Sequence, residues 1–330
     1  MKIGIIGGGA IGLLIGAYLA DEHVVTIITR SSEQAEDLAQ HGIHLKKDDQ
    51  VHIKKVQAAS ISVLALNDYD LLIVAVKQYA LEQIVPALEK VSGTLLFVQN
   101  GMSHVPLVKR LSLDKKVFVG VVEHGALKTN HHTVTHTGMG LLKISSYQQN
   151  NEAPIAGYSD FPVVYEDEAH DMLTKKLVVN AMINPLTAVL GVPNGELLTN
   201  PYFKQLFDSL FEEISVILQF DDCDGMKWHI ENVCYKTARN HSSMLRDLEE
   251  GRPTEIDSIL GYVLTIAAEK KSQAPITKSL YLMVKGKERG RREDTNEVCV
   301  VCINRYIGYL ARIWVFDCFY HNEAMDEKSP

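Results

Sequence analysis

Three side chains within one segment invite chemistry. Lys176, Asn180 and Asn184 recur every four residues in Lys175-Lys176-Leu177-Val178-Val179-Asn180-Ala181-Met182-Ile183-Asn184-Pro185-Leu186-Thr187. On a helix that spacing puts all three on one face. Their neighbours Leu177, Val178, Val179, Met182 and Ile183 are apolar and belong in a core. A polar stripe on a buried helix costs stability unless something pairs with it. The partners are either other protein groups or a bound ligand. Pro185 cannot donate to the carbonyl of Ala181, so a kink is expected there.

A second stretch would bind through its backbone. Ile3-Gly4-Ile5-Ile6 reads as a buried strand, and Leu13-Leu14-Ile15-Gly16-Ala17-Tyr18-Leu19-Ala20 continues as an apolar helix. Between them Gly7-Gly8-Gly9-Ala10-Ile11-Gly12 fits G-x-G-x-x-G. Gly7 allows the tight turn, Gly9 lets the backbone approach a pyrophosphate, and Gly12 lets helix and strand pack closely. The helix N-terminus then offers free N–H groups and its positive dipole end to phosphates. A signal peptide is the competing reading of Met1 to Ala20. Glycines in the middle of the apolar run and a strand that follows at once argue against it, so a cytoplasmic protein is expected.

The next strand, Val24 to Thr29, ends in Thr29-Arg30-Ser31-Ser32. An NAD site usually carries Asp or Glu at this point, to accept from the ribose 2′-hydroxyl. Arg30 would instead pair with a 2′-phosphate, which favours NADPH over NADH. Two further buried strands, Leu71 to Val76 and Leu95 to Val98, end in Lys77 and in Gln99-Asn100-Gly101-Met102. Ligands of doubly wound sheets sit beyond such carboxyl ends. Lys77 could meet phosphate or ribose oxygens there, and Asn100 offers both a donor and an acceptor to cofactor or substrate. As plain structure, Lys77 is a solvated strand end and Asn100 a turn residue.

Several histidines lie in or near loops as well. His124, in Glu123-His124-Gly125-Ala126, is a lone loop histidine, more often structural than catalytic. His131, His132 and His136 have no cysteine or carboxylate beside them at ligand spacing, so no metal is expected.

The elements that position these residues form an α/β pattern followed by a helical one. Ser31 to His41 reads as a helix and Ile43 to Val56 as short strands. Val117 to Val122, Thr133 to Ser146 with a break at Gly138-Met139-Gly140, and Phe161 to Tyr165 complete the strands. From Asp167 the pattern is helical, with a turn at Gly191 to Glu196 and a helix from Tyr202 to Phe220. Thr254 and Asp257 look like a capping box, with Glu255 in the first helical turn. The helix dipole favours an ionised Glu255, so it is expected to be an acceptor or charge partner rather than a proton donor. The division is 1–166 for a dinucleotide-binding Rossmann domain, 167–292 for an all-α domain, and 293–330 for an extension. The chain has 330 residues and a formal net charge of −8, so no basic field invites nucleic acid. Five irregularly spaced cysteines suggest reduced thiols, and no uncharged run reaches membrane-spanning length.

The combination of motifs resembles the ketopantoate reductase (2-dehydropantoate 2-reductase) family. The matching pieces are Gly7 to Gly12, Val76-Lys77, Gln99 to Met102, Lys176 to Asn180, Ile183 to Thr187, Ser242-Ser243-Met244 and Pro253 to Asp257, in the family's order from about Met1 to Gly290. The resemblance implies a Rossmann domain, then an all-α domain like the C-terminal one of 6-phosphogluconate dehydrogenase, with the site between them. It implies NADPH-dependent reduction of 2-dehydropantoate to (R)-pantoate, on the route to pantothenate and coenzyme A. By carry-over Lys176 is the catalytic proton donor, and Asn100, Asn180, Asn184, Asn194, Ser243 and Glu255 hold the substrate. Together, the motif reading and the resemblance assign Gly7, Gly8, Gly9, Ala10, Ile11, Gly12, Arg30, Lys77, Asn100, Ala126 and Glu255 to the cofactor. The only expected partner is a small 2-keto acid, with a homodimer as a compatible assembly.

Two stretches depart from the family pattern. Val121-Val122-Glu123 stands where threonines are common. The chain also runs on past Leu282 to Gly290 into a tail with Cys299, Cys302 and Cys318. A reductase of another 2-keto acid or an opine-type substrate, and a non-catalytic NADPH-sensing protein, are the rival readings. The sensor would need neither Lys176 nor Glu255.

Overall fold

The computed structural model describes residues 1–61, 66–147 and 152–290. The extension from 293 onward, with Cys299, Cys302 and Cys318, lies outside them.

Twelve strands are described, in two sheets. The larger holds β1 (Lys2–Ile6), β2 (Val24–Thr29), β5 (Gln57–Ser60), β6 (Leu71–Val74), β7 (Thr94–Phe97), β8 (Val117–Val122), β11 (Leu142–Ser146) and β12 (Val163–Tyr165). Its order is β12-β11-β8-β7-β6-β1-β2-β5, parallel throughout except where β11 meets β8. In the middle of this sheet Ile5 lies opposite Ile27 and Ile73, and all three are fully buried. Branched apolar residues on both faces suit a parallel sheet covered on both sides. The smaller sheet is β4-β3-β10-β9, from β3 (Ile43–Lys47), β4 (Gln50–Lys54), β9 (Gly125–Lys128) and β10 (Thr133–Gly138). It packs over α1 (Ala10–Leu19). Helix α2 (Ser32–His41) is capped by Ser31, whose hydroxyl oxygen accepts from the Gln34 N–H. Short helices α3 (Gln78–Leu81), α4 (Val85–Leu88) and α5 (Val105–Leu111) link the central strands.

The helical part opens with α6 (Ala169–Leu190), whose middle is buried almost all round. It packs against β8 and β11 on one side and, on the other, against α8 (Pro201–Leu218), α9 (Cys223–Lys236), α10 (Ser243–Glu249) and α12 (Pro275–Gly290). One apolar core therefore runs from Val74, Phe97 and Val119 of the sheet into Leu177, Val178 and Met182 of the helix. The helix runs on past Pro185 and stops at Gly191, whose φ of +72° is the left-handed cap that favours glycine. Helices α7 (Glu196–Thr199) and α11 (Tyr262–Glu269) complete the layer.

The expected capping box of Thr254 and Asp257 does not form. Thr254 Oγ1 accepts from the Ile256 N–H (3.2 Å) and donates to Glu288 Oε1 (2.7 Å). Asp257 accepts from the Tyr281 hydroxyl (2.7 Å) and from Lys285 Nζ (2.9 Å). Helix α12, distant in sequence, supplies these charge-assisted partners, which outcompete a local cap. A single π-helical turn, Asp257–Gly261, then leads into α11.

Candidate active site

The carboxyl ends of β1, β2, β6 and β7 face a cleft whose far wall is α6 and the 253–258 segment. At β1 the chain turns on Gly7, whose φ is +122°. A Cβ there would sit 2.8 Å from the Ala75 backbone, and one on Gly12 would run into the Gly7 carbonyl. Gly9 differs, because nothing lies within 4 Å of where its Cβ would be. The fold needs glycine at 7 and 12, while at 9 the glycine keeps outside space clear. No side chain caps α1, and no acid stands in its first turn. Its free N–H groups and clear approach fit a pyrophosphate. Arg30 is exposed at the end of β2, with no carboxylate paired to it among the described residues. That suits a 2′-phosphate and offers no acceptor for a 2′-hydroxyl.

Two side chains missed by sequence reasoning support this turn. The Gly8 carbonyl accepts from Gln34 Nε2 (2.8 Å) and from Lys128 Nζ (2.9 Å). Burial holds the Lys128 ammonium below the ordinary lysine pKa. Neither residue has a local motif, because α2 and β9 reach the turn only in three dimensions. Ala126 is half-buried in β9, opposite His136.

Lys77 and Asn100 both reach across the cleft. Lys77 Nζ donates to Asp247 Oδ2 (2.7 Å), and Asp247 also accepts from Arg252 Nε (2.8 Å). Lys77 is thus ion-paired rather than a free, solvated strand end. Asp247 is a third residue that sequence reasoning missed. Asn100 Nδ2 donates to Glu255 Oε2 (3.0 Å). Next to it Gly101 takes φ +79°, and the Met102 N–H donates to the Ser258 carbonyl (3.3 Å). A side chain on Gly101 would strike that same carbonyl. Gln99 latches the end of β7 by donating to the carbonyls of Val74 (2.7 Å) and Val76 (3.1 Å).

On α6, Asn180 and Asn184 are buried, 7% and 9% exposed, and Lys176 is half-buried one turn before them. Among the described residues none of these three side chains makes a hydrogen bond or ion pair with the protein. None of their polar atoms is among the sealed, unpartnered ones of the described residues, so they face open space and this side of the helix is free to receive polar groups from outside. Burial lowers the Lys176 pKa; Glu123 pulls it back up, Lys143 pushes it down and Glu255 pulls it up. Lys143 and Glu123 are themselves paired at 3.1 Å. Burial raises the Glu255 pKa, opposed by the Asn100 hydrogen bond and by Lys77, and reinforced by Asp247. Glu255 is therefore an acceptor with a partner, though it precedes the π-helical turn instead of sitting in an α-helical first turn.

The other expected residues lie differently. The buried Asn194 donates from Nδ2 to Thr237 Oγ1 (2.8 Å), while its Oδ1 has no partner among the described residues. Ser243 is exposed at the start of α10. Its neighbour Ser242 is the cap of that helix, 2.8 Å from Thr187 Oγ1. His124 is engaged in a buried chain: its Nδ1 lies 3.0 Å from His136 Nε2, and His136 Nδ1 lies 2.7 Å from the Tyr18 hydroxyl. Burial lowers its pKa to about 4, and its ring stacks on Phe161. This is the structural role that a lone loop histidine usually has.

The sequence profile described as Ketopantoate reductase PanE/ApbA matches residues 3–149, and that of the C-terminal domain of the same family matches residues 169–288. The 2-dehydropantoate 2-reductase of Bacillus subtilis (strain 168) is 40% identical over 304 residues, covering 90% of this chain and 100% of the relative. The enzyme of the same name from Listeria monocytogenes is 39% identical over 295 residues, covering 87% and 97%. The crystal structure of a probable 2-dehydropantoate 2-reductase from Bacillus subtilis superposes with a TM-score of 0.80 at 39% identity, covering 87% of this chain and all of that one.

Proposed function

The chain belongs to the ketopantoate reductase family, and on that premise we propose that it reduces 2-dehydropantoate to (R)-pantoate with NADPH. The carrying observation is the face of α6: Asn180 and Asn184 are buried, Lys176 is half-buried, and none of the three shares a side-chain hydrogen bond with the described protein. When bound, NADPH supplies the two electrons and the hydrogen that go to the keto carbon. The glycine turn and the α1 N-terminus would hold its pyrophosphate, Arg30 its 2′-phosphate, and the Asn100 loop its nicotinamide end.

The residues of the chain do the rest. Negative charge grows on the keto oxygen as its carbon is reduced. The Lys176 ammonium stabilises that charge and then gives the oxygen a proton, leaving a neutral amine that water reprotonates. Its lowered pKa eases this proton release, while Glu123 and Glu255 keep the ammonium populated. Asn180 and Asn184 offer amide donors to the substrate carboxylate, with the exposed Ser243 hydroxyl as an outer contact, while the Asn194 donor is already given to Thr237. Glu255, oriented by Asn100, accepts from the substrate hydroxyl. The two described cysteines, Cys223 and Cys234, are unpaired, and no described helix is long and apolar enough to cross a membrane. The proposal places the enzyme in the cytoplasm.

The test is NADPH oxidation by the purified full chain with 2-dehydropantoate, beside NADH and a panel of other 2-keto acids. Turnover on 2-dehydropantoate with NADPH, well above the other pairs, is the expected result. Preference for another keto acid would retain the chemistry and replace the substrate. NADPH binding without turnover on any of them would overturn the assignment.

A further inference from the structure

Away from the cleft, a second group of side chains converges. Asp37 and His41 stand one turn apart on α2, and His132 comes from the turn between β9 and β10. One ligand atom from each lies within 4.8 Å of the other two. The Asp37 carboxylate spans both rings: Oδ2 is 2.5 Å from His132 Nδ1, and Oδ1 is 3.1 Å from His41 Nδ1. We propose that Asp37, His41 and His132 form a binding site for a divalent transition-metal ion of the zinc type.

The donor set favours such an ion. Two imidazole nitrogens and one carboxylate oxygen are three protein ligands, with a fourth position open to water. Imidazole selects the zinc, cobalt, nickel and copper group over magnesium and calcium, which prefer oxygen. Donors bound to a tetrahedral ion at about 2.0–2.2 Å lie roughly 3.4 Å apart, so Asp37 and His41 must shift until the carboxylate steps back from His132 Nδ1 and admits the ion between them. Asp37 and His41 are free to do so, with side chains 27% and 41% exposed, and that exposure also gives an ion its way in. Without metal the His132 Nδ1 proton serves the carboxylate, and His41 Nδ1 donates to the Asp37 backbone carbonyl at 3.0 Å. With metal each ring carries its proton on Nε2, so binding shifts a tautomer and adds no oxidant or reductant.

The supporting shell is already built. Asn130 Oδ1 accepts from the N–H groups of His132 (3.1 Å) and Thr133 (2.7 Å), which fixes the turn. The His132 carbonyl accepts from the His44 N–H at 2.8 Å, and the His44 ring packs edge-on to that of His132 at 4.6 Å. Gln34, on the same helix as Asp37, donates to the His131 carbonyl (2.9 Å). Held groups lose little freedom on binding, and outer partners of this kind tune metal affinity. Sequence spacing hid the site, because Asp37 and His41 lie some ninety residues before His132. A bound ion would clamp the C-terminal end of α2 to the smaller sheet and stabilise the folded chain by mass action.

The experiment uses the tag-free full chain, stripped with chelator and titrated with Co2+. The ion separates this site from the cysteines, since nitrogen and oxygen ligands give d–d absorption without a thiolate charge-transfer band. Wild type, His132→Ala and His41→Gln are compared, with melting curves taken in Zn2+ and in Mg2+. The expected result is one equivalent of thiolate-free Co2+ in wild type and a melting temperature raised by Zn2+ but not by Mg2+. Each variant should weaken that equivalent by about tenfold or more. His41 is an exposed helix residue, so His41→Gln keeps the test valid should His132→Ala fold poorly. A wild type without this equivalent, or a folded His41→Gln that binds it as tightly as wild type, would overturn the proposal.

Discussion

Around the glycine turn a ligand meets main-chain N–H groups, whereas on α6 it meets side chains. The two walls of the cleft are built by opposite means. The turn is satisfied internally: Gly7 and Gly12 fit against backbone, and the Gly8 carbonyl is held by Gln34 and Lys128. The polar face of α6 is unsatisfied, with two buried amides and an ammonium that find no partner in the described protein. A backbone site is lost when a side chain is added. A side-chain site is lost when one is removed.

Removing the ammonium should have the largest effect. Lys176→Ala should lower kcat by on the order of a hundredfold or more, with NADPH affinity by fluorescence titration close to wild type. In wild type the donor must be protonated, so kcat should fall as pH rises through the Lys176 pKa. Burial puts that alkaline limb below the ordinary lysine value of 10.5. An equal loss of cofactor affinity would merge the two walls into one site.

Adding side chains to the turn comes next, and the glycines should separate. Gly9→Ala has space for its Cβ, so it should lose no more than about 1 kcal/mol, the worth of an N-cap glycine, while NADPH binding weakens by roughly tenfold or more. Gly7→Ala is strained at φ +122° and crowds Ala75, so it should lose about 1–3 kcal/mol of stability as well. Chemical denaturation beside cofactor titration distinguishes them.

His104 lies just beyond the Asn100 loop, buried with both ring nitrogens unpartnered among the described residues. Burial lowers its pKa from 6.5 to about 4. The unfolded chain therefore takes up the proton first as pH falls. The neutral ring costs no pH-dependent stability above pH 6.5, and stability is lost between there and pH 4. From pH 7 to pH 5 this one group should cost about 2 kcal/mol, which His104→Leu should remove from a denaturation series. The smallest effect expected is at Arg30. Arg30→Ala should raise KM for NADPH about tenfold, the worth of a charge-assisted contact, and leave KM for NADH unchanged.

Legibility followed the same division. Gly7, Gly9 and Gly12 could be read in line because their job is local: a strand, a turn and a helix that follow one another in the chain. The stripe of Lys176, Asn180 and Asn184 was equally legible, because helical periodicity alone puts the three on one face. Asp247 opposite Lys77, Lys128 beneath Gly8, and Glu123 near Lys176 were not, since each pair is separated by tens of residues or more and carries no spacing rule. The capping box at Thr254 was misread for the same reason, when α12 brought Glu288 and Lys285 to residues that looked locally paired.

The sequence by itself determined the order of strands and helices, the backbone-defined turn, and which residue types line the helix face. Those are properties of neighbouring residues: hydrophobic period, conformational freedom at glycine, and the 3.6-residue repeat. Only the tertiary structure decided which charges meet. Lys77 turned to Asp247, Asn100 to Glu255, and Asp37 to two histidines, while Lys176 has no bonded partner among the described residues. Buried charges and amides take whichever complementary group the packing of the core brings within about 3 Å, and packing is set by the whole chain at once.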